Sequence, residues 1–386
     1  MLKLITLLIA STMTVMAGAT ISPALPQMQE FFNNEPNSEF WVKLLLTLPG
    51  LFTGLGAPFA GAIIDRFGRK PLLMAAIFLY GIAGGTGCVL SSLTGLLIGR
   101  AFLGLAVAAI MTTCVTLIAD YYQGPQRNQI MGTQAAFMGY GGVAFLLLGG
   151  FLAGLSWRGP FFIYLSAFII LPLVIFSITE PEKTAGHTSN LAEDSDTELP
   201  IKTLVPIYLL TFLTMVVFYM IPVQIPFYLR NFQVSSAQVG MAIAASTLAS
   251  ATMSLFYKTI KARLSFQMIL VCLYPLIGLG YISVSFANSY AFAVLGLIVA
   301  GLGLGLMLPN MNVWLNAIAP VAARGRLLGG LTTSMFLGQF FSPIIIQPIA
   351  QQIKLGPTFA LVGGVMLALA ATIAAVSFVN RPARTA

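Results

Sequence analysis

Charge is what this sequence has least of. Asp, Glu, Lys and Arg make up 8% of its 386 residues, 58% are hydrophobic, and the mean hydropathy is +0.92. Soluble domains carry roughly 25% charged residues, so no water-facing surface can be assembled from this chain and it reads as a polytopic membrane protein. Cysteine is nearly absent. Cys88, Cys114 and Cys272 all lie in apolar runs, which excludes a disulfide framework and a thiolate metal site. The single histidine, His187, stands in a polar stretch and reads as solvated. No metal, cofactor or enzymatic role is expected. A net charge of +8 would suit nucleic acid, but the basic residues are spread between apolar runs, so no such partner is expected.

Long hydrophobic runs are what the chain has in abundance. A spanning helix needs about 20 apolar residues. Twelve runs qualify, near 4–25, 41–64, 71–91, 95–119, 128–154, 160–179, 203–227, 236–257, 266–287, 290–318, 327–350 and 357–379. The first carries Lys3 and then small residues at Ala17, Gly18 and Ala19, as a signal peptide would. Its apolar part is too long for that role, and it is kept as a span. The basic residues orient the set. With the N-terminus inside, fourteen fall on the inner side: Lys3, Arg66, Arg69, Lys70, Arg127, Lys183, Lys202, Lys258, Lys261, Arg263, Arg324, Arg326, Arg381 and Arg384. Four fall outside, Lys43, Arg158, Arg230 and Lys354, and Arg100 is left within the fourth helix. Both termini are therefore expected in the cytoplasm, and the chain in the cell (inner) membrane. Glu180, Glu182, Glu193, Asp194, Asp196 and Glu198, six of the eleven acids, cluster in the longest inner segment. That segment, 181–202, reads as a solvated tether between a six-helix bundle at 1–180 and another at 203–386.

The two bundles are copies. A shift of 197 residues lays Arg66 on Arg263, Arg127 on Arg324, Gly132 on Gly329, Gly159-Pro160 on Gly356-Pro357 and Phe162 on Phe359. One offset at three separated sites marks a duplicated six-helix unit, the architecture of a rocking transporter with its site between the halves. The loop between the second and third helices reads Gly61, Asp65, Arg66, Gly68, Arg69 and Lys70, a complete G-x-x-x-D-R-x-G-R-K signature. With Arg100 in Ile98-Gly99-Arg100-Ala101-Phe102-Leu103-Gly104, Trp157-Arg158 before the sixth helix and Ser22-Pro23-Ala24-Leu25-Pro26 closing the first, the chain resembles the major facilitator superfamily. Its pattern looks most like the twelve-helix drug–proton antiporter and metabolite exporter branch. That resemblance implies an all-α membrane fold of two pseudo-symmetric six-helix bundles and transport by alternating access.

The resemblance also makes the loop cluster a conformational latch. Asp65 ends the second helix and, in the expected fold, faces the N-terminus of the eleventh, whose free amides and dipole favour an anion. Asp120 ends the fourth helix and can pair with Arg66, Arg69 or Arg127. The offset puts Ala262 and Ala317 opposite the two acids, so only the first half supplies charge. A topology signal alone is the plainer reading of the basic residues. Arg100, 20 residues before Asp120, is read either as snorkelling and pairing with first-helix backbone or as an electrostatic element of the cavity. No acid lies in a predicted span, so Glu30 beside Arg100, or Asp120, is the candidate for proton coupling. The fifth helix keeps Gly132, Gly141, Gly149 and Gly150 of the antiporter signature G-x8-G-x3-G-P-x2-G-G, but Phe145-Leu146 replaces the Gly-Pro. Without the proline, its kink is expected to be lost.

Polar or aromatic residues in apolar helices are the cavity candidates: Thr20, Arg100, Gln134, Tyr219, Gln224, Asn310, Asn312, Trp314, Asn316 and Gln339. The expected protein is a monomeric carrier with a mid-membrane cavity. It takes small amphipathic molecules (anionic ones included), with protons as the coupling ion and efflux as the direction. An import or uncoupled facilitator and a non-transporting receptor or scaffold are the alternatives.

Overall fold

The computed structural model describes residues 1–181, 201–320 and 323–379. Most of the expected tether, with His187 and the acids from Glu182 to Glu198, lies outside the described residues, as do Lys183, Arg381 and Arg384. Among the described residues there is no strand. The first span, Leu2–Ala19, continues through a 3-10 turn at Ser22–Ala24 into the short helix Leu25–Phe31. The second is Ser38–Phe67, the third Arg69–Val89, the fourth Leu93–Tyr121 and the fifth Gly124–Leu155. The sixth opens as a 3-10 helix, Gly159–Ser166, and runs on as Ala167–Ser177. The second half has Ile201–Leu229, Ser236–Leu255, Phe266–Ser285, Tyr290–Ile318, Arg324–Ile353 and Leu355–Val379 as its seventh to twelfth spans.

Eleven of these helices are long and apolar enough to cross a membrane. The exception is the eighth, Ser236–Leu255, whose serines and alanines dilute its hydropathy. Those small residues go to packing. A Cβ built on Gly301 would lie 2.3 Å from the Ser246 carbonyl, and one on Gly305 would lie 2.2 Å from that of Ser250. In lipid, helices associate through such close backbone approach rather than through burial of apolar side chains.

Caps and breaks follow the sequence. Ser92, Ser235, Ser265 and Ser289 cap the fourth, eighth, ninth and tenth spans through their hydroxyls. Gly68, at φ +95°, ends the second span and starts the third in a conformation only glycine adopts cheaply. The fifth span has no internal proline and is one continuous helix. Its glycines set its neighbours: Gly141, Gly142 and Gly149 meet Thr12, Val15 and Thr20 of the first span, and Gly150 meets Gly240 of the eighth.

The duplication is visible in contacts. Gly99 rests on Ala83 and Gly296 on Gly280; Gly104 rests on Pro49 and Gly301 on Ser246. In each case the second pair is the first displaced by 197 residues. Buried apolar side chains form two clusters. One runs from Leu7 to Ile178 and is joined by Val223 and Phe227 of the seventh span; the other runs from Leu204 to Ala370 and is joined by Leu146 of the fifth.

Lys3 Nζ donates to Thr179 Oγ1 (2.8 Å) and Ser377 Oγ to Gln267 Oε1 (3.3 Å), so the start of the first span, the end of the twelfth and the Gly61–Lys70 loop share one face, here the terminal face. Every hydrogen bond or ion pair between the halves among the described residues lies toward the opposite face. Ser22 Oγ donates to the Pro222 carbonyl, Gln27 Nε2 to Ser236 Oγ (3.0 Å) and Lys43 Nζ to Gln347 Oε1, and Glu30 pairs with Arg230. The first of these has a backbone cause. Residue 226, whose N–H would have satisfied the Pro222 carbonyl, is itself proline, so the hydroxyl of Ser22 takes that place.

Candidate functional site

Between the halves lies a cavity of about 360 Å³. The first, second, fourth and fifth spans wall it on one side, and the seventh, eighth, tenth and eleventh on the other. No charged side chain lines it. Its apolar wall includes Phe218, Phe336 and five methionines, Met111, Met138, Met215, Met307 and Met335. Thioether side chains adapt to irregular apolar shapes.

The polar groups divide into two sets. Thr14, Thr53 and Thr247 spend their hydroxyls on helix carbonyls, and Thr214 pairs with Tyr274. Tyr219 and Gln339 are different. Among the described residues neither side chain makes a hydrogen bond, and both converge on Gly18, where a Cβ would lie 3.4 Å from the Tyr219 hydroxyl and 3.8 Å from Gln339 Nε2. Gln339 is also seated against Gly50, where a Cβ would come within 2.6 Å of its side chain. Among the described residues the cavity thus offers three unspent hydroxyls, Tyr219, Ser246 and Ser250, and one free amide within an apolar shell, the usual make-up of a small-molecule site.

Of the ten residues expected in the cavity, only Tyr219 and Gln339 line it. Arg100 is buried at 1% exposure inside the first half. Its guanidinium donates to the Tyr164 hydroxyl (2.9 Å) and stacks over the Phe161 and Tyr164 rings, and Tyr164 in turn donates to the Ala17 carbonyl (3.2 Å). The tie to the first span is therefore made through tyrosine, and the electrostatic role in the cavity is not supported. Thr20 bonds the Met16 carbonyl and Gln134 bonds Ser11 (2.7 Å), both behind the cavity wall. Asn310 is held by Phe266 and Tyr257, Trp314 stacks on Phe266 with ring centroids 5.6 Å apart, and Asn312 and Asn316 each donate back to the carbonyl four residues earlier. Gln224 lies nearer the opposite face, bonded to Gln347. Glu30 is exposed and paired with Arg230, away from Arg100.

The latch residues are placed within one half. Glu180 accepts the backbone amides of Arg69 and Lys70 at 2.7 Å each, capping the third span, and Lys70 Nζ donates to the Ile175 carbonyl. Asp120 pairs with Arg69 at 3.1 Å, one of its three expected partners. Asp65, Arg66 and Arg127 are exposed, and among the described residues Asp65 and Arg127 have no ion pair. A Cβ at Gly61, Gly132 or Gly329 would meet nothing within 4 Å. The expected contact of Asp65 with the eleventh span is not made, because the halves stand apart at the terminal face.

Two charged side chains hold positions that the residue pattern does not single out. Glu180 reads as the first of the acidic cluster, yet it stands only three residues past Ser177, the last residue of the sixth span, and so within reach of a neighbouring helix N-terminus. By residue pattern Lys43 falls with the outer segments and Arg100 is the sole charge well inside a span, yet Lys43 is fully buried. The signal for it was its place inside the predicted run 41–64, one turn after Glu39.

Comparison with known proteins accords with this geometry. The class B tetracycline resistance protein of Escherichia coli is 30% identical over 198 residues, 51% of this chain and 47% of that protein. The class C protein from the same organism is 24% identical over 367 residues, covering 90% of this chain and 89% of the relative. The match to the class B protein thus spans about half of that relative's length. A crystal structure of a D-xylose-proton symporter superposes with a TM-score of 0.79 over 96% of each chain at 14% identity, a likeness of fold. The family pattern described as Major Facilitator Superfamily matches residues 7–205 and 207–386. With twelve spans among the described residues, in two related halves around a shared cavity, this multi-pass membrane protein belongs to the Major Facilitator Superfamily.

Proposed function

We propose that this chain is a carrier that exports small amphipathic organic molecules by alternating access, driven by protons, with its terminal face in the cytoplasm. The observation that carries the reading is the cavity at the seam of the halves, sealed toward the opposite face and unlinked at the terminal face. Fourteen basic residues against four argue for that orientation, which makes the arrangement described an inward-facing one. The bundles 1–180 and 203–386 are the rocking units and 181–202 their tether. The carrier is taken to work as a monomer. Asp65 and the eleventh span are the latch that closes the terminal face in the other state.

Because the cavity lacks charge, its substrate is uncharged or weakly charged, and the anionic class falls away with the removal of Arg100 from the wall. The relatives' names, tetracycline resistance proteins, support export. One observation favours the second reading, an uncoupled facilitator: neither Asp nor Glu lines the cavity. Solute movement into inside-out vesicles separates the two. Uptake of a lipophilic dye that collapses with the imposed pH gradient supports proton-driven export. Movement indifferent to the gradient replaces it with the facilitator, and no movement rejects both.

A further inference from the structure

At the opposite face the two seams between halves are related by the 197-residue repeat, yet they are built differently. Gly150 meets Gly240, a dry backbone contact. The equivalent positions are Gln347 and Lys43, and their contact buries a full positive charge. The Lys43 ammonium has 0% exposure. It is held by Glu39 Oε1 at 2.7 Å on its own span, by Gln347 Oε1 on the eleventh span and by the Phe227 ring of the seventh, 4.4 Å away. Gln347 Oε1 also accepts Gln224 Nε2 at 3.4 Å, and the buried Gln224 Oε1 has no partner.

A buried ammonium without a counter-charge is costly, and a point-like ammonium more so than a delocalised guanidinium such as Arg100. Among the described residues Glu39 is the single carboxylate in reach. The other charged groups on elements packed there are committed elsewhere or exposed. Arg100 faces Tyr164 and Phe161, Glu30 and Arg230 pair with each other, and Glu35 and Lys354 are exposed. Tyr228, the nearby phenol on the seventh span, donates to the Val284 carbonyl. Glu39 itself keeps 37% of its side chain in contact with the opposite-face medium.

Resting on the carrier reading, we infer that Glu39 is a proton-binding site through which acid on the opposite face opens that face. A proton taken up by the Glu39 carboxylate cancels the charge that balances Lys43. The ammonium then faces two amide groups and a phenyl ring, and it reaches water only if the second span parts from the seventh and eleventh. The sign follows from linkage: the open form binds the proton more readily, so acid favours opening by up to about tenfold per pH unit for one proton. In the closed form Glu39 still faces the opposite compartment, so the proton leaves by the route it came and none crosses the membrane at this site. The site senses the pH of one compartment and is distinct from whatever group carries the driving proton.

Spin labels at Asn34→Cys and Asn288→Cys, in full-length chain lacking Cys88, Cys114 and Cys272 and placed in lipid nanodiscs, report the separation of the halves at this face. In the wild-type background the ratio of long to short distances should hold steady from pH 7.5 to pH 5.5 and rise about threefold by pH 4.0, as the open-form carboxylate titrates across its ordinary range at about 4.3. Glu39→Gln should hold the long distance at every pH. Lys43→Met should hold the short one, because an apolar side chain in place of the cation needs no counter-ion. A merely structural lysine predicts instead that Lys43→Met loosens the seam at every pH, which would overturn the inference. Two populations that shift with dye but ignore pH, or a Glu39→Gln chain with the wild-type response, overturn it and leave the carrier intact. One fixed distance under all conditions overturns both.

Discussion

At the scale of single residues, the chain buries two cations and gives them different work. Arg100 is enclosed by Tyr164 and Phe161 within one half, whereas Lys43 bridges the halves. Sequence position gave the depth of Arg100 along its helix but not which way it points. The same gap explains the asparagines of the tenth span: Asn312 and Asn316 do share a face, but each satisfies itself on its own helix. Tyr219 and Gln339 stand out because their polar atoms are unspent and converge on Gly18. Tyr219→Phe and Gln339→Leu should each raise the KM of a transported dye about five- to tenfold, the worth of one hydrogen bond near 1 kcal/mol, with maximal rate preserved. Initial-rate uptake into vesicles checks this, and an unchanged KM for both removes them from the site. Arg100→Met should do the reverse. It removes the guanidinium that donates to the Tyr164 hydroxyl and stacks on the Phe161 and Tyr164 rings, so thermal stability of the purified protein falls while KM stays within about twofold, since residues that share no partner act independently.

At the scale of elements, glycine spacing in the fifth span was legible and its purpose was not. The register Gly132, Gly141, Gly149 and Gly150 announces close packing, yet the partners come from two bundles: the first span for Gly141 and Gly149, the eighth for Gly150. Sequence patterning sees a helix and its own face, never the helix laid against it. The eighth span shows the same limit from the other side, being too rich in small residues for a hydropathy signal because its purpose is contact. Gly150 makes a test. A Cβ there lies 3.0 Å from the Gly240 Cα and from the Ser236 carbonyl, both backbone atoms that cannot swing aside. Gly150→Val should therefore penalise closure of the opposite face by about 1–3 kcal/mol, typical of overpacking. Ile221→Cys, in the cavity wall beside Pro222, reports the outcome. An impermeant thiol reagent added at the opposite face should label it several-fold faster in the Gly150→Val background, and equal rates would show that the seam tolerates the methyl groups.

At the scale of the whole molecule, the duplication was the most legible feature, because a repeat needs only an offset to be seen. The contacts Gly99–Ala83 and Gly296–Gly280 carry that offset into three dimensions. Which face is open was not legible, since one sequence must support both states and their difference is a few kcal/mol. Asp65 illustrates this. The resemblance marks it as a latch, and in the arrangement described it is exposed and, among the described residues, without an ion pair. An acid that is free in one state and docked on a helix N-terminus in the other stabilises only the second. Asp65→Asn should leave the folding of this state untouched and remove about 1–2 kcal/mol from the other, the worth of an anion at a partly buried helix start. That is a shift of roughly five- to thirtyfold in the ratio of states toward opening at the terminal face. Spin labels at Gln126→Cys and Thr259→Cys, on exposed positions of the two halves at that face, measure it directly. The long-distance population should grow by that factor in Asp65→Asn and return in Asp65→Glu. An unchanged distribution would leave the loop as a topology signal and nothing more.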